Sequence, residues 1–309
     1  MLFRQLQYLV ALAKEKHFGR AADRCNVSQP SLSTSIKQLE RTLGVPIILR
    51  GRRFLGLTPE GERIISWAER VISQRDAMLV ELSGMRENLE GRLRLGAMPN
   101  SSPVLPLFSK VLTEKHPGVK NDIHFLGIDE TIQGLTNFSL DVGITYMPQP
   151  RLSNLDFMPL YDEHLSLLVP DTEEFRGIDV ISWEDIAELR LCLLDKTMHE
   201  RKVIDEAFES AGVSVNPYVT TSDSILNLIF HVMYAGFVTI VPRHFVHMPG
   251  LFSGVRALDL VEPEISQVVG LVWSQSEPMM PMAKVMVEIA KELKSSGVLQ
   301  GRLSKLSTP

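Results

Sequence analysis

The sequence predicts an α/β protein with an all-α N-terminal part, and three observations carry that expectation. The first 57 residues read as helices joined by short turns. From Thr58 to Leu89 no proline follows Pro59, and apolar residues recur at alternating spacings of four and three. Beyond that run, short apolar stretches alternate with amphipathic ones, the pattern of parallel strands linked by crossover helices. With 309 residues the chain has material for two or three domains. At 44% hydrophobic and 22% charged residues it has the composition of an ordinary globular protein, which excludes a disordered chain.

The charge is unevenly distributed. Residues 1–60 hold ten Lys/Arg against four Asp/Glu, a balance of +6, which leaves −11 for the rest of a chain of net charge −5. A basic head on an acidic body points to a polyanion partner for the head alone. The head opens with Phe3, Leu6, Leu9, Val10 and Ala13 on one helical face. Its apolar run is too short for a signal peptide despite the Ala-x-Ala pattern in "QYLVALA".

Phe18 to Cys25 reads as a second helix, with Ala21 and Ala22 small enough for close packing, and Asn26-Val27 as a turn. Ser28 caps a third helix, with Pro30 in its first turn where a missing N–H costs nothing. Leu32, Ile36 and Leu39, four and then three apart, are its buried stripe. The other face presents Gln29, Ser31, Ser33, Thr34, Lys37 and Gln38, and no acid precedes Glu40 in the segment from Asn26. Hydroxyls are poor helix formers because they compete for backbone groups. Short polar side chains without acids suit phosphates and base edges in the major groove. The expectation is a helix-turn-helix that binds double-stranded DNA.

A basic segment, "RGRRFLGL", precedes Thr58, an N-cap followed by Pro59 at the first helical position. Ile64, Ala68, Val71, Arg75, Met78, Leu82, Met85 and Leu89 then make a 3.5-residue stripe interrupted only by Arg75. Such a narrow stripe is a coiled-coil seam. Roughly 30 residues make about 45 Å of helix, more than a small head can cover. Ile64, Ala68, Val71, Met78, Leu82 and Met85 are therefore expected to dimerise.

Strand-like runs follow at 93–97, 120–126, 141–145, 165–169, 191–195, 216–220, 237–241 and 266–273, with helix-like segments at 102–115, 129–137, 183–188, 199–211 and 223–235. Two α/β units of this kind enclose a cleft, and ligands of open α/β sheets sit where helix N-termini point. Three strand-to-helix junctions are rich in hydroxyls: Asn100, Ser101 and Ser102; Thr197 with Glu200 as a capping box; and Thr221, Ser222, Asp223 and Ser224. Free N–H groups at helix starts suit a small anion, so a small carboxylate effector is expected, with His199 beside it. Tyr146, His231 and Phe237 could instead form a pocket for an aromatic acid. An acidic cleft would admit a cation. No G-x-S-x-G, phosphate loop or two-His metal site with a third ligand is present, "HFVH" at 244–247 being an isolated pair, so neither an enzyme, a metal nor a cofactor is expected. Cys25 and Cys192 lie in different domains, which argues against a redox pair. The apolar stretch Ile225 to Val241 is too short and polar to span a bilayer and reads as a helix ending at Gly236 before a buried strand.

"RAADRCNVSQPSLSTSIKQLERTLGVPIILRGRRFLGLTPEGE" resembles the DNA-binding head of the LysR-type transcriptional regulators, over residues 3 to 62. The resemblance implies a winged helix-turn-helix at 1–58, a linker and dimerisation helix at 59–90, and a periplasmic-binding-protein-like effector domain at 91–309. That domain would divide into one α/β subdomain of 91–162 plus 267–300 and another of 163–266. It further implies a bacterial cytoplasmic regulator, a homodimer assembling to a homotetramer that bends promoter DNA, RNA polymerase as a partner, and no membrane. By position, Gln29, Pro30, Ser31 and Ser33 match residues that approach bases, Lys37 a basic position near the backbone, and Arg50, Arg52 and Arg53 the wing. Thr34 stands where many members have Arg. "DVGITYMPQP" matches a cleft-lining segment, which places Ile144 and Tyr146 near the effector.

Overall fold

The computed structural model describes residues 1–49, 54–84, 89–147, 154–213, 220–246 and 253–299. Helices α1 (Phe3–Glu15), α2 (Phe18–Arg24) and α3 (Gln29–Leu43) form the head. Leu6, Leu9 and Leu12 of α1 pack on Ala21 and Ala22 of α2 and on Leu32, Ile36 and Leu39 of α3, all of them buried. Asn26 makes the turn at φ 53, a left-handed conformation that asparagine tolerates. The carboxylate of Glu40 accepts the backbone N–H groups of Ile47 and Ile48 at 2.7 and 3.2 Å. The one acid of α3 is thus occupied in fixing the hairpin that follows. That hairpin is closed by an antiparallel bridge between Ile48 and Leu57. Arg50, Arg52 and Arg53 lie outside the described residues.

Helix α4 (Pro59–Gly84) starts as expected. The Thr58 hydroxyl accepts the Gly61 N–H at 2.9 Å and donates to the Pro46 carbonyl at 2.7 Å. This cap therefore also ties the helix to the chain entering the hairpin. Gly61 is required by close approach, since a Cβ there would lie 2.2 Å from the Ile47 carbonyl oxygen. The described part of the helix runs to Gly84, about 39 Å, and Leu89 lies in no helix. The expected seam divides. Ile64 and Ala68 face inward, packed against Leu6, Leu9, Leu39 and Ile47, because α1 occupies that side of the first turns. Val71, Met78 and Leu82 are exposed, joined by Trp67 and Leu79, which the heptad reading missed. Met85 lies outside the described residues.

The body begins with β1 (Gly91–Ala97), α5 (Leu105–Lys115), β2 (Val119–Phe125), α6 (Ile128–Thr136) and β3 (Val142–Tyr146), and β1 pairs parallel with both β2 and β3. Then comes β4 (Leu155–Pro170), followed by β5 (Val180–Ser182), α7 (Trp183–Ile186), β6 (Cys192–Leu194), α8 (His199–Ser210), β7 (Thr220–Ser222), α9 (Ile225–Ala235), β8 (Thr239–Pro242), α10 (Arg243–Val246), β9 (Val255–Val261), β10 (Ser266–Ser274) and α11 (Pro281–Ser295). Residues 155–164 of β4 pair with β10, and residues 165–170 with β8 and β9. One strand thus belongs to two sheets. The sheets are mixed, not wholly parallel as expected, because β10 runs antiparallel to β3 and β4.

Each sheet has its own apolar core. Leu93, Leu95, Phe108, Val142, Ile144, Leu271 and Ala290 fill the first. Leu167, Trp183, Ile204, Phe208 and Leu258 fill the second, with the Trp183 and Phe208 rings edge to face at 5.0 Å. The sequence reading missed the first half of β4, β5, β9 and α11. Asp156, Pro159 and Asp162 mask the β4 alternation. For α11 the signal was present: Pro281 at its start, then Met282, Val285, Met286, Ile289 and Leu293 on one face. The expected strand at 216–220 falls largely outside the described residues.

The body is seated on α4. Arg94 pairs with Asp141 at 2.6 Å and donates to the Ser73 hydroxyl of α4 at 3.1 Å. Asn137 donates to Glu69 of α4 at 2.8 Å, while Lys14 of α1 approaches the other Glu69 oxygen at 4.0 Å. Head and body therefore meet on the same stretch of helix.

Replacing Gly61 by Ala should destabilise the head by about 2–3 kcal/mol, because the obstructing atom is backbone and cannot rotate away. Urea unfolding followed by circular dichroism reads this directly. An unchanged midpoint would mean that the Ile47 segment yields without cost.

Candidate functional site

Two regions bring functional side chains together. The first is the outer face of α3. Ser28 takes the extended N-cap conformation and its hydroxyl accepts the Ser31 N–H at 3.3 Å, with Pro30 in the first turn. The Ser28 and Ser31 hydroxyls are 2.8 Å apart, so Ser31 also takes part in the cap. Gln29, Pro30, Ser31, Thr34, Lys37 and Gln38 are exposed, and Ser33 is half-buried at the edge of the face. His17 caps α2, its Nδ1 accepting the Gly19 and Arg20 N–H groups at 3.1 and 3.3 Å. A histidine cap gave no usable signal in the sequence.

The second is a cleft of about 610 Å³ between the two sheets, lined by Met98 and Pro99, by residues 127–130 at the start of α6, by residues 197–200 at the start of α8, and by Gln267 of β10. Behind its wall lies a buried polar cluster at the point where β4 passes from one sheet to the other. Asn100 donates to the Tyr146 hydroxyl at 3.0 Å and to Glu163 at 3.4 Å. The Tyr146 hydroxyl in turn donates to Glu163 Oε1. Burial pushes the Glu163 carboxyl up to about 8, against the hydrogen bond from Tyr146 and with the help of Glu200. Glu200 is itself buried, and its carboxyl is raised for the same reason. His244 Nε2 binds the Asn100 carbonyl at 2.8 Å, which links α10 to the 98–101 segment, and burial lowers its imidazole to about 4. The Tyr146 ring is 5.0 Å from that of His199, whose Nε2 is 3.3 Å from Gln267 Oε1. Glu163 and Gln267 were not singled out from sequence, because the adjacent acids Asp162 and Glu163 in "YDEHLSLL" carry no pattern, and His244 figured only in the isolated "HFVH" pair.

The expected effector residues divide. Thr197 and His199 line the cleft, and Asn100 and Tyr146 stand behind it. Thr197 is not an N-cap: its hydroxyl donates to Asp195 at 2.7 Å, and Met198 occupies the cap position. Ser101 and Ser102 lie in a tight 3-10 turn, not at a helix start, and donate to the Met98 and Pro99 carbonyls at 2.7 and 2.5 Å. Helix α5 starts only at Leu105, with Pro106 in its first turn. Ile144 is wholly buried in the first core. Thr221 and Ser222 are in β7, and Ser224 caps α9 in their place. Phe237 packs against the His231 ring at 5.8 Å and under Arg190, apart from Tyr146, so the aromatic pocket expected from those side chains does not form.

A helix-turn-helix head with an exposed polar recognition face, joined by a long helix to a two-sheet body with a central cleft, defines a DNA-binding transcriptional regulator. The chain belongs to the LysR family: residues 3–62 match the bacterial regulatory helix-turn-helix protein, lysR family, and residues 86–295 match the LysR substrate binding domain. The DNA-binding transcriptional dual regulator OxyR of Escherichia coli K12 is 28% identical over 282 residues, covering 90% of this chain and 91% of that protein. A full-length OxyR variant from Pseudomonas aeruginosa has a TM-score of 0.74 at 29% identity, covering 94% and 95% of the two chains. Full-length CbnR in complex with its target DNA shares the fold, with a TM-score of 0.70 at 20% identity over 94% of this chain and 99% of that one. No described helix is long and apolar enough to cross a membrane.

The His244 imidazole carries a pH prediction. Between about pH 6.5 and pH 4 the unfolded chain takes up a proton that the folded chain does not. Stability should therefore fall as pH drops through that window, by roughly 3 kcal/mol at its lower end. His244→Gln, which keeps a donor for Asn100, should flatten that limb of a urea-unfolding series. An equally steep limb in the variant would place the acid sensitivity elsewhere.

Proposed function

We propose that this LysR-family regulator reads its operator with the outer face of α3 and adjusts that binding through a small-molecule effector held in the cleft. The observation that carries the first part is the exposed array of Gln29, Ser31, Thr34 and Lys37, free of acids and held outward by the buried Leu32, Ile36 and Leu39. Side chains at the start of a recognition helix meet base edges, while a lysine two turns along meets phosphate. Arg50, Arg52 and Arg53 are assigned to the wing on sequence alone. Thr34 offers a hydroxyl where an arginine would add a phosphate contact.

The further assignments are a wing-bearing head at 1–58, a linker helix at 59–90 and an effector domain at 91–309, assembled as a homodimer through Val71, Met78 and Leu82 and then as a homotetramer. The protein acts in the bacterial cytoplasm on promoter DNA, within reach of RNA polymerase, and catalyses no reaction. An effector that spans the cleft touches both subdomains at once, so it can bias their relative rotation. Peroxide sensing through a disulfide has little support here. Cys192 is buried, its thiol faces the Leu228 and Val238 carbonyls, and burial pushes its pKa up to about 11, which keeps it protonated and unreactive. Cys25 lies in the head.

With operators selected by the full-length protein from random DNA, Gln29→Ala should cost about 1–3 kcal/mol and relax preference at one base position. Lys37→Ala should weaken all sequences alike and reduce the salt slope by about 1. Full affinity and unaltered preference in both variants would remove α3 as the reading face. For the cleft, Thr197→Trp should retain operator binding and hold a reporter at one output across growth media. An undiminished response would put the effector elsewhere.

A further inference from the structure

We propose that the ligand of this cleft is a cation, a protonated amine or guanidinium seated against Glu200 and backed by the Glu163–Tyr146 pair. The inference rests on the reading of the cleft as the effector site and assigns that site its charge. Glu130, Glu200 and Glu206 line the cleft together with Lys202, while Asp129, also in the lining, has a partner of its own. Glu130 is engaged in capping the Gly127 N–H at 3.1 Å. Glu200 is only 8% exposed, and the one positive group acting on its carboxyl is the neighbouring His199.

One layer behind stands Glu163, 3% exposed, at the point where β4 leaves the first sheet. Its Oε1 is served by Tyr146 and Asn100, whereas among the described residues its Oε2 has no hydrogen-bond partner, and neither has the hydroxyl of Tyr161 beside it. Glu200 is close enough to disfavour the charge of Glu163. Two buried carboxylates without a cation are a costly arrangement that an incoming positive group would relieve. The His199 ring faces the cleft with the Tyr146 ring 5.0 Å from it in the layer behind, so the wall beside Glu200 is polarisable.

An anion meets the opposite conditions. The N-terminus of α8 offers about half a positive charge, but the Glu200 carboxylate already takes up its own backbone N–H there and brings a full negative one. The site is therefore net negative at the place where an anion would have to bind.

The groups facing Glu163 are Tyr146 of β3, Tyr161 of its own strand and Glu200 of α8, with His199 acting through Glu200 and His244 of α10 through the Asn100 carbonyl. A cation favours the ionised carboxyl, so binding should release a proton and strengthen as pH rises towards 8.

The test uses the full-length protein with n-butylammonium, 1,4-diaminobutane and methylguanidinium chlorides against sodium butyrate, succinate and benzoate, at fixed ionic strength. Melting curves and calorimetry in two buffers of different ionisation heat are the readouts. At least one of the three cations is expected to raise the melting temperature, with a proton released on binding. Glu200→Gln should weaken that binding roughly thirtyfold or more. Glu163→Gln should fold normally, lose the proton release and flatten the pH dependence. The charge assignment is overturned if no cation shifts the melt, or if the shift survives both substitutions unchanged. Binding of a carboxylate in place of a cation, abolished by Thr197→Trp, would overturn the charge and leave the cleft standing as the effector site.

Discussion

The body depends on β4 being a single continuous strand. Its first ten residues are hydrogen-bonded into one sheet and its last six into the other. Strand pairing is perpendicular to the chain, so each half is held by its own neighbours and the backbone between them is the shared element. The two cores, one around Phe108 and Leu271 and the other around Trp183 and Phe208, then form on either side of that crossing. A gap between them follows necessarily, because neither core extends across the crossing. The cleft is the consequence of a strand divided between two sheets.

At that crossing the fold places its most expensive side chains. Glu163, Tyr146, Asn100 and His244 are all buried within one hydrogen-bonded group, and Asn100 connects β3 and β4, through its side chain, to helix α10, through its carbonyl. An apolar set of the same size would stabilise the junction more. Retaining polar groups there leaves the two subdomains joined by directional bonds that can exchange partners, whereas close-packed methyl groups would fix one arrangement.

Much of this was legible in the sequence, and what was not has identifiable causes. The head is local: Ser28, Pro30, Leu32, Ile36 and Leu39 act within one helix and its cap, so spacing reveals both the fold and the exposed face. On α4 a 3.5 spacing states which residues share a stripe and not what covers it: α1 covers Ile64 and Ala68, while Val71, Met78 and Leu82 are exposed. The cleft was legible only as a place. Its chemistry rests on Glu163 meeting Tyr146 across 17 positions and His244 meeting Asn100 across 144, and no short-range pattern reports such pairs. The hydroxyl junctions show the same limit. Ser101, Ser102 and Thr197 satisfy nearby backbone or Asp195, a use that their spacing does not distinguish from ligand contact.

Helix α4 has one more implication, a statistical one. Head and body grip overlapping turns of the same rod, with Lys14 and Asn137 both reaching Glu69 and with Arg75 over the ring of Phe3. A head on a flexible tether would explore many orientations and lose that freedom on meeting DNA, a cost that opposes association. Here the orientational entropy is given up during folding, before any operator is encountered. Binding therefore starts from a narrow angular distribution, and any rearrangement of the body moves the centre of that distribution instead of widening it.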